Sequence, residues 1–116
     1  MTAAQKSLLV WTTVGDQAQA TKIAKELVEA QLAACVHILG QGLSFYRWEG
    51  EVHNEAEWTL LIKTRTALYP ELEKSLQTLH PYDLPEILAT EVVQGEPGYL
   101  RWLEESTKEP STHQKE

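Results

Sequence analysis

The chain has 116 residues, of which 42% are hydrophobic and 23% charged, and this composition fits one globular domain. Seventeen acidic residues against ten basic residues give a formal net charge of −7, so we expect neither nucleic acid nor an anionic membrane surface as a partner. The single cysteine, Cys35, excludes an internal disulfide, and the absence of a long apolar segment or signal-peptide pattern predicts a cytoplasmic protein.

The first predicted elements are a strand and a helix. Residues 7–14 (SLLVWTTV) are rich in β-branched and aromatic side chains, which predicts a central strand buried on both faces. Asp16 is then the predicted N-cap of an amphipathic helix, because Ala20, Ile23 and Leu27 recur at helical spacing. A helix of this kind covers one face of a sheet.

The next segment predicts a hairpin of two strands. Residues 33–52 are largely apolar and aromatic, and Gly40 and Gly42 interrupt them in a way that suggests a bulge within one long strand. We place the turn of the hairpin at His53–Asn54. The second strand then follows over residues 57–64, where apolar and polar side chains alternate.

A second helix, a strand and a third helix complete the predicted elements. Thr66 is the expected cap of a helix that ends at His80, because the residue before Pro81 is driven out of the α region. A strand is predicted over residues 87–93. A short helix is predicted to begin near Pro97, which suits the first helical turn.

This order, β-α-β-β-α-β plus a C-terminal helix, predicts an α+β fold of the ferredoxin-like type, with two helices on one face of an antiparallel sheet. We assign residues 1–105 to a single domain of this type. Residues 106–116 contain no apolar anchor and are predicted to form a flexible C-terminal tail.

Five short segments, in this order along the chain, resemble the CutA divalent-cation tolerance family. They are LAACV (32–36), SFYRWEG (44–50), LIKT (61–64), HPYDLPE (80–86) and YLRWL (99–103). The resemblance covers about residues 7–103. It implies a homotrimer similar in architecture to the PII signalling trimers, with a non-catalytic binding or signalling role in the tolerance of, or response to, divalent metal ions such as copper.

Self-association also agrees with the sheet pattern. A lone four-stranded sheet has two edges that need protection, and the strand around Phe45–Trp48 is aromatic enough to be an aggregation hazard in a monomer. Pairing with neighbouring copies of the chain would remove that hazard.

His80 is the candidate metal ligand. Its position at a helix C-terminus favours a cation or a metal ion, but it equally suits a side chain that caps helical carbonyl groups while Pro81 and Pro85 fix the loop. The resemblance implies that copper-binding relatives use a cysteine and two adjacent histidines, and this chain has Thr12, Leu79 and His80 there. We therefore expect no required cofactor and at most weak binding of Cu(II) or another divalent cation.

Cys35 and His37 form a second candidate pair. They lie two residues apart on a predicted strand, so their side chains share a face and could chelate a soft metal. The alternative is that Cys35 is a small core residue in an apolar run. We assign no function to His37.

Two groups of residues could form a ligand cleft. Tyr46, Arg47 and Trp48 combine aromatic faces with a guanidinium, which is typical of small-ligand sites and also of subunit interfaces. Lys63 stands in an apolar strand, and Glu86 is its candidate partner, either in an anion-binding site or in a structural ion pair.

Three functions remain open after these assignments. The first is a trimer associated with divalent metal ions. The second is a trimeric sensor of a small anionic ligand, bound in a cleft between subunits near Lys63, Glu86, Tyr46 and Trp48. The third is a structural scaffold trimer. We do not expect an enzyme, because the sequence contains no recognisable catalytic or phosphate-binding motif.

Overall fold

A computed structural model describes residues 6–111. Its elements are β1 (Ser7–Val14), α1 (Gln17–Glu29), β2 (Cys35–Trp48), β3 (Glu51–Arg65), α2 (Tyr69–Leu79), β4 (Leu88–Glu91) and α3 (Pro97–Glu105). A single 3-10 turn over Thr66–Leu68 precedes α2. None of the helices within residues 6–111 is long and apolar enough to cross a bilayer.

The four strands form one antiparallel sheet in the order β2-β3-β1-β4. This order, with α1 and α2 as the two connecting helices, confirms the predicted ferredoxin-like α+β fold. The prediction that β1 is a central strand is also confirmed, because β1 pairs with β3 on one side and with β4 on the other.

The hydrophobic core lies between the sheet and the first two helices. Ile23 and Leu27 of α1 and Leu72 and Leu76 of α2 are at most 1% exposed, and burial of each such side chain contributes about 1.5–3 kcal/mol. The predicted N-cap is confirmed, since the Asp16 carboxylate accepts a hydrogen bond of 2.8 Å from the backbone N–H of Gln19.

Only one face of β1 is fully buried. Val10, Thr12 and Val14 are 0% exposed on the side of the helices, whereas Leu9 and Trp11, on the other side, are partly exposed. The prediction of burial on both faces is therefore wrong for the single chain. Both connecting helices pack on the same face, and α3 covers only part of the opposite face of the sheet.

The hairpin of β2 and β3 turns four residues earlier than predicted. The turn is Glu49–Gly50, with Trp48 opposite Glu51, and Asn54 pairs with Phe45 inside the ladder. Both turn residues have positive φ, 52° and 82°, as a two-residue turn of type I′ requires. The prediction of a turn at 53–54 is therefore wrong. The hairpin closes at Gly50, whose positive φ suits the turn.

The predicted bulge in β2 is confirmed. The register of β2 against β3 shifts between Ile38 and Gln41, and Gly40 lies there with φ of 106°. Beyond this point the two strands pair only with each other, because β1 ends opposite Trp58. We call residues 41–57 the hairpin arm.

Residues 106–111 are attached to the body of the protein by polar contacts. The backbone N–H of Lys108 donates to the carbonyl oxygen of Gln31 at 2.9 Å, and its ammonium forms an ion pair of 2.9 Å with Glu71. Ser111 also donates to the Glu71 carboxylate. The prediction of a flexible tail is therefore corrected over residues 106–111. The contacts that hold this segment are polar, so no apolar pattern in the sequence indicated them. Residues 112–116 lie outside the described residues.

Two further boundaries follow from local chemistry. The fourth strand, predicted over residues 87–93, is limited to Leu88–Glu91, the four residues that pair with β1. The third helix begins at Pro97, as predicted, and the Glu96 side chain caps it by accepting from the Tyr99 N–H at 2.7 Å.

Candidate functional site

A cleft with a cavity volume of about 880 Å³ lies along the hairpin arm. One wall comes from the arm, and the other is the loop of residues 82–86 that connects α2 to β4. The carboxylates in its lining are Glu55, Glu57, Asp83 and Glu86. We call this the acidic cleft.

Four aromatic residues also belong to the lining. They are Phe45, Tyr46, Trp48 and Tyr82. Tyr46 and Trp48 are two residues apart on β2 and so point to the same face, whereas Phe45 and Arg47 point to the other face. Arg47 is not part of the lining. The structure thus joins three predicted site residues, Tyr46, Trp48 and Glu86, and separates Arg47 from them.

The cleft contains four carboxylates and no lysine, arginine or histidine in its lining. Its local field is therefore negative, which attracts cations and repels anions. Desolvation, and then the adjacent carboxylate of Glu55, raise the pKa of the Tyr46 phenol, so this phenol remains neutral at physiological pH. The predicted anionic ligand is poorly matched to these charges.

Tyr82 connects the two walls of the cleft. Its phenol donates a hydrogen bond of 2.8 Å to the Glu57 carboxylate on β3. Burial, and then the adjacent carboxylate of Glu57, raise the pKa of Tyr82, so its proton stays on the phenol at neutral pH. This bond fixes the 82–86 loop against the arm.

His80 lies behind this loop and has both ring nitrogens engaged. Its Nδ1 accepts from the backbone N–H of Tyr82 at 3.2 Å. Nε2 therefore carries the proton and donates to the carbonyl oxygen of Thr13 at 2.9 Å, with the Thr12 hydroxyl 3.1 Å away. Burial lowers the pKa of His80, partly opposed by the Thr13 carbonyl and by Glu57, so the ring is neutral at pH 7.

This network bears directly on metal binding by His80. The only lone pair of the neutral ring is on Nδ1, and the Tyr82 N–H occupies it. A metal ion would have to displace that hydrogen bond. Thr12, at the expected cysteine position, is 0% exposed and already lies beside the ring. Thr12 and His80 are therefore joined by a structural hydrogen bond, and Leu79 has no ligand atom in its side chain, so these residues do not fit a soft metal ion.

Lys63 does not meet Glu86. Its ammonium donates to the Tyr99 hydroxyl at 3.2 Å and lies 5.3 Å from the centre of that ring, an arrangement that combines a hydrogen bond with a cation–π contact. Among residues 6–111 the ion pair within 4.0 Å is Lys108–Glu71, so the candidate Lys63–Glu86 pair is not formed within a single chain. Lys63 instead holds α3 against the face of the sheet opposite α1 and α2.

Cys35 and His37 lie on the face of β2 shared with Lys63, which is the direct partner of Cys35 in β3. Cys35 is partly exposed and His37 is exposed. Within the part of the chain that the structure describes, no group of three or more histidine, cysteine, aspartate or glutamate side chains is arranged to hold a metal ion. A preformed three-ligand site is therefore not present within residues 6–111 of a single chain.

Three comparisons relate this chain to known proteins. The family model described as "CutA1 divalent ion tolerance protein" matches residues 8–106, which is most of the chain. The chain belongs to the CutA1 family. This agrees with the resemblance of the five sequence segments, and the family is named for tolerance of divalent ions.

Individual CutA proteins support this assignment. The divalent-cation tolerance protein CutA of Thermus thermophilus is 46% identical over 99 residues, which are 85% of this chain and 96% of that protein. The Pyrococcus horikoshii protein of the same name is 39% identical, over 87% of this chain and 98% of that protein. Protein CutA of Mus musculus is 37% identical, but the chain spans only 57% of its length.

Solved CutA structures share the fold. The Thermus thermophilus divalent cation tolerance protein superposes with a TM-score of 0.86 at 45% identity, covering 88% of this chain and 99% of that one. CutA1 from Oryza sativa gives a TM-score of 0.88 at 37% identity, covering 90% and 96%. The ferredoxin-like fold is therefore that of the CutA1 family.

Sequence reasoning missed several residues of the acidic cleft. Glu55, Glu57 and Asp83 were assigned no role, and Tyr82 appeared only within the family segment. Alternation along β3 could have placed Glu55 and Glu57 on one face. The loop of residues 82–86 has no period, so its approach to the arm was not predictable from spacing.

Proposed function

We propose that this CutA1 protein is a non-catalytic homotrimer that responds to divalent metal ions by binding them weakly in the acidic cleft. The observation that carries the proposal is the lining of the cleft: Glu55, Glu57, Asp83 and Glu86 surround a cavity of about 880 Å³ that contains no basic side chain. Such a field concentrates divalent cations at its surface without a preformed coordination set. The ion is the ligand of the protein and not a resident cofactor.

Weak binding follows from the arrangement of the ligands. Carboxylates bind Cu(II) and harder divalent ions, but a tight site needs several of them converging on one point. Within residues 6–111 no three acidic, histidine or cysteine side chains converge in that way. We expect binding that is sensitive to salt, shared among several carboxylates and not selective for copper.

Trimer formation is supported by unpaired strands and exposed apolar side chains. In the hairpin arm, β2 and β3 each leave one edge without a strand partner among the described residues. Leu43, Phe45 and Val52 on the arm are 61–67% exposed. Long exposed edges with apolar side chains are aggregation-prone unless paired, and a second copy supplies a matching edge. The family resemblance implies that three copies assemble.

Two groups near the cleft that could perform acid–base chemistry, His80 and Tyr82, are engaged in structural contacts. His80 is neutral and hydrogen-bonded at both nitrogens, and the proton of Tyr82 is held by Glu57. Neither group is poised to exchange a proton near neutral pH. This supports a binding role over catalysis.

The alternative of an anion-sensing trimer is less favoured. It required a cation in the cleft, and Lys63 instead contacts Tyr99. A scaffold trimer would use the same exposed arm but would need no acidic cleft. A scaffold trimer would take up no metal ion, and this distinguishes it from the proposed function.

Native mass spectrometry of metal-stripped protein, titrated with copper(II), tests subunit number and ion uptake together. We expect a trimer that takes up copper, with uptake strongly reduced in the double variant Glu55→Gln/Glu86→Gln. The matched control is Glu26→Gln/Glu29→Gln, which removes the same charge from exposed positions on α1.

The variant His80→Ala distinguishes metal binding in the acidic cleft from metal binding at His80, at the end of α2. We expect this variant to keep most of the copper uptake, because the ring nitrogens are already occupied. Loss of uptake in His80→Ala, with none in the cleft variant, would place the ion at His80 and refute the cleft. A monomer would refute the assembly.

A further inference from the structure

We infer a second ligand site, for a small oxyanion of the phosphate type, where the ends of β1 and β3 meet α3. It is separate from the acidic cleft, since the two share no lining residue. We call it the Arg65 pocket. It is independent of metal binding, so its failure would leave the proposed function untouched.

The starting point is a buried charge that lacks a counter-charge. Arg65, the last residue of β3, is 6% exposed. Its Nε–H donates to the Thr107 hydroxyl at 2.7 Å, and a terminal N–H donates to the carbonyl oxygen of Lys108. Both acceptors are neutral. Across residues 6–111 no carboxylate lies within 4.0 Å of this guanidinium, because the ion pair in that range joins Lys108 to Glu71.

A buried guanidinium normally has an anionic partner, because desolvation of an unpaired charge is costly. The two acceptors of Arg65 satisfy only part of its five N–H donors. Every side-chain nitrogen that is fully buried in the described chain has a hydrogen-bond partner. The terminal nitrogen Nη1, which has no partner among these contacts, is therefore not fully buried, and Arg65 is one of the residues that line the pocket.

The pocket has a second arginine, Arg101, in its lining. Its cavity volume is about 270 Å³. The lining residues are Ser7, Arg65, Pro97, Leu100, Arg101 and Glu104. The four lining residues from α3 are spaced i, i+3, i+4 and i+7, so they lie on one face of the helix. Ser7 is the direct strand partner of Arg65.

These groups match an oxyanion. Two guanidinium groups and a hydroxyl group are donors, and paired N–H groups of arginine suit the oxygen atoms of phosphate. Glu104 is the single carboxylate of the lining, so the pocket has a net positive charge in a chain whose formal net charge is −7. The local charge is thus opposite to that of the whole protein. The volume leaves room for a small phosphomonoester as well as for free phosphate.

Isothermal titration calorimetry with inorganic phosphate, at constant ionic strength set with sodium chloride, tests the site on the full chain. We expect saturable binding that is weakened at least tenfold in Arg101→Gln. Arg101 is exposed on α3, so this substitution leaves the fold intact. Arg47→Gln, which removes the same charge from the exposed hairpin arm, is the matched control and should change the affinity by less than twofold.

Removal of the negative charge in the lining gives an independent check. Glu104→Gln removes the repulsive carboxylate and should tighten phosphate binding at least twofold. Glycerol 3-phosphate, titrated in parallel, distinguishes a phosphomonoester from the free ion by which probe binds more tightly. The inference is overturned if phosphate does not bind saturably, or if Arg101→Gln and Arg47→Gln weaken it equally, since that would be general charge attraction.

Discussion

The phenol of Tyr82 donates a hydrogen bond of 2.8 Å to the carboxylate of Glu57, a residue 25 positions earlier in the chain. This one contact holds the loop after α2 against the hairpin arm and so shapes the acidic cleft. Both residues are only partly exposed, which strengthens a hydrogen bond to a charged acceptor relative to one in water.

Tyr82→Phe should destabilise the protein by about 1–2 kcal/mol, because the Glu57 carboxylate loses its donor while the aromatic ring is retained. Urea unfolding at neutral pH measures the change. Tyr99→Phe is the matched control: its hydroxyl contacts Lys63 at an exposed position, and its loss should cost about 0.5 kcal/mol or less. Equal effects of the two variants would contradict the structural role of the Tyr82–Glu57 bond.

The stability of the protein should depend on pH through His80. Burial lowers the pKa of His80 in the folded protein below its ordinary value of 6.5, so the unfolded chain takes up the proton first as the pH falls. The contribution of the neutral ring is therefore fully present above pH 6.5. It is lost as the pH falls from 6.5 through the lower folded-state pKa.

Thermal unfolding between pH 8 and pH 4.5 measures this dependence. We expect a smaller decrease in Tm with falling pH in His80→Gln than in the wild type, since the buried titrating group has been removed. The groups that face His80 are Thr12, Thr13, Tyr82 and Glu57. His37→Gln, at an exposed position, should keep the wild-type profile. A wild-type profile in His80→Gln would show that other groups control the acid sensitivity.

Much of the fold was predictable because its signals are local. The Asp16 cap and the Gly40 bulge each depend on a few adjacent residues. The order of strands and helices follows from hydrophobic periods of about two and 3.6 residues. These signals do not require knowledge of distant contacts.

The candidate site was predictable only in part, because its key contacts join distant segments. Tyr46, Trp48 and Glu86 were identified from residue type, but their position around an acidic cleft depends on the Tyr82–Glu57 contact. Lys63 was expected to meet a carboxylate and instead meets Tyr99, 36 residues later. No spacing rule selects among such partners before the sheet is assembled.

The attachment of residues 106–111 gives a third prediction. The Thr107 hydroxyl accepts from the buried Arg65 Nε–H at 2.7 Å, and it also lies within hydrogen-bonding distance of carbonyl oxygens at the end of α3. Thr107→Val keeps the shape but leaves a charged donor without its acceptor. We expect a loss of about 1.5–3 kcal/mol in the free energy of unfolding.

Chemical denaturation followed by tryptophan fluorescence tests this loss. Thr78→Val is the control, because Thr78 is exposed on α2 and bonds only within its own helix, so the same substitution should change stability by about 0.5 kcal/mol or less. If Thr107→Val were equally mild, residues 106–111 would contribute little to the folded state.

The turn of the hairpin arm gives the last prediction. Gly50 has φ of 82°, a conformation that costs an L-residue with a side chain roughly 1–2 kcal/mol, although no atom stands within 4 Å of where its Cβ would lie. Gly50→Ala should therefore destabilise by about 1 kcal/mol through the backbone alone. Gly42→Ala, on the same arm and with equally open space, has no positive φ and should be neutral or slightly stabilising.

Since the arm supplies the edges through which copies are proposed to pair, the two variants should be compared by thermal unfolding at several protein concentrations. A cost at Gly50 that grows on dilution would connect the turn to assembly, a constant cost would confine it to the fold of one chain, and no difference between the variants would contradict the type I′ turn.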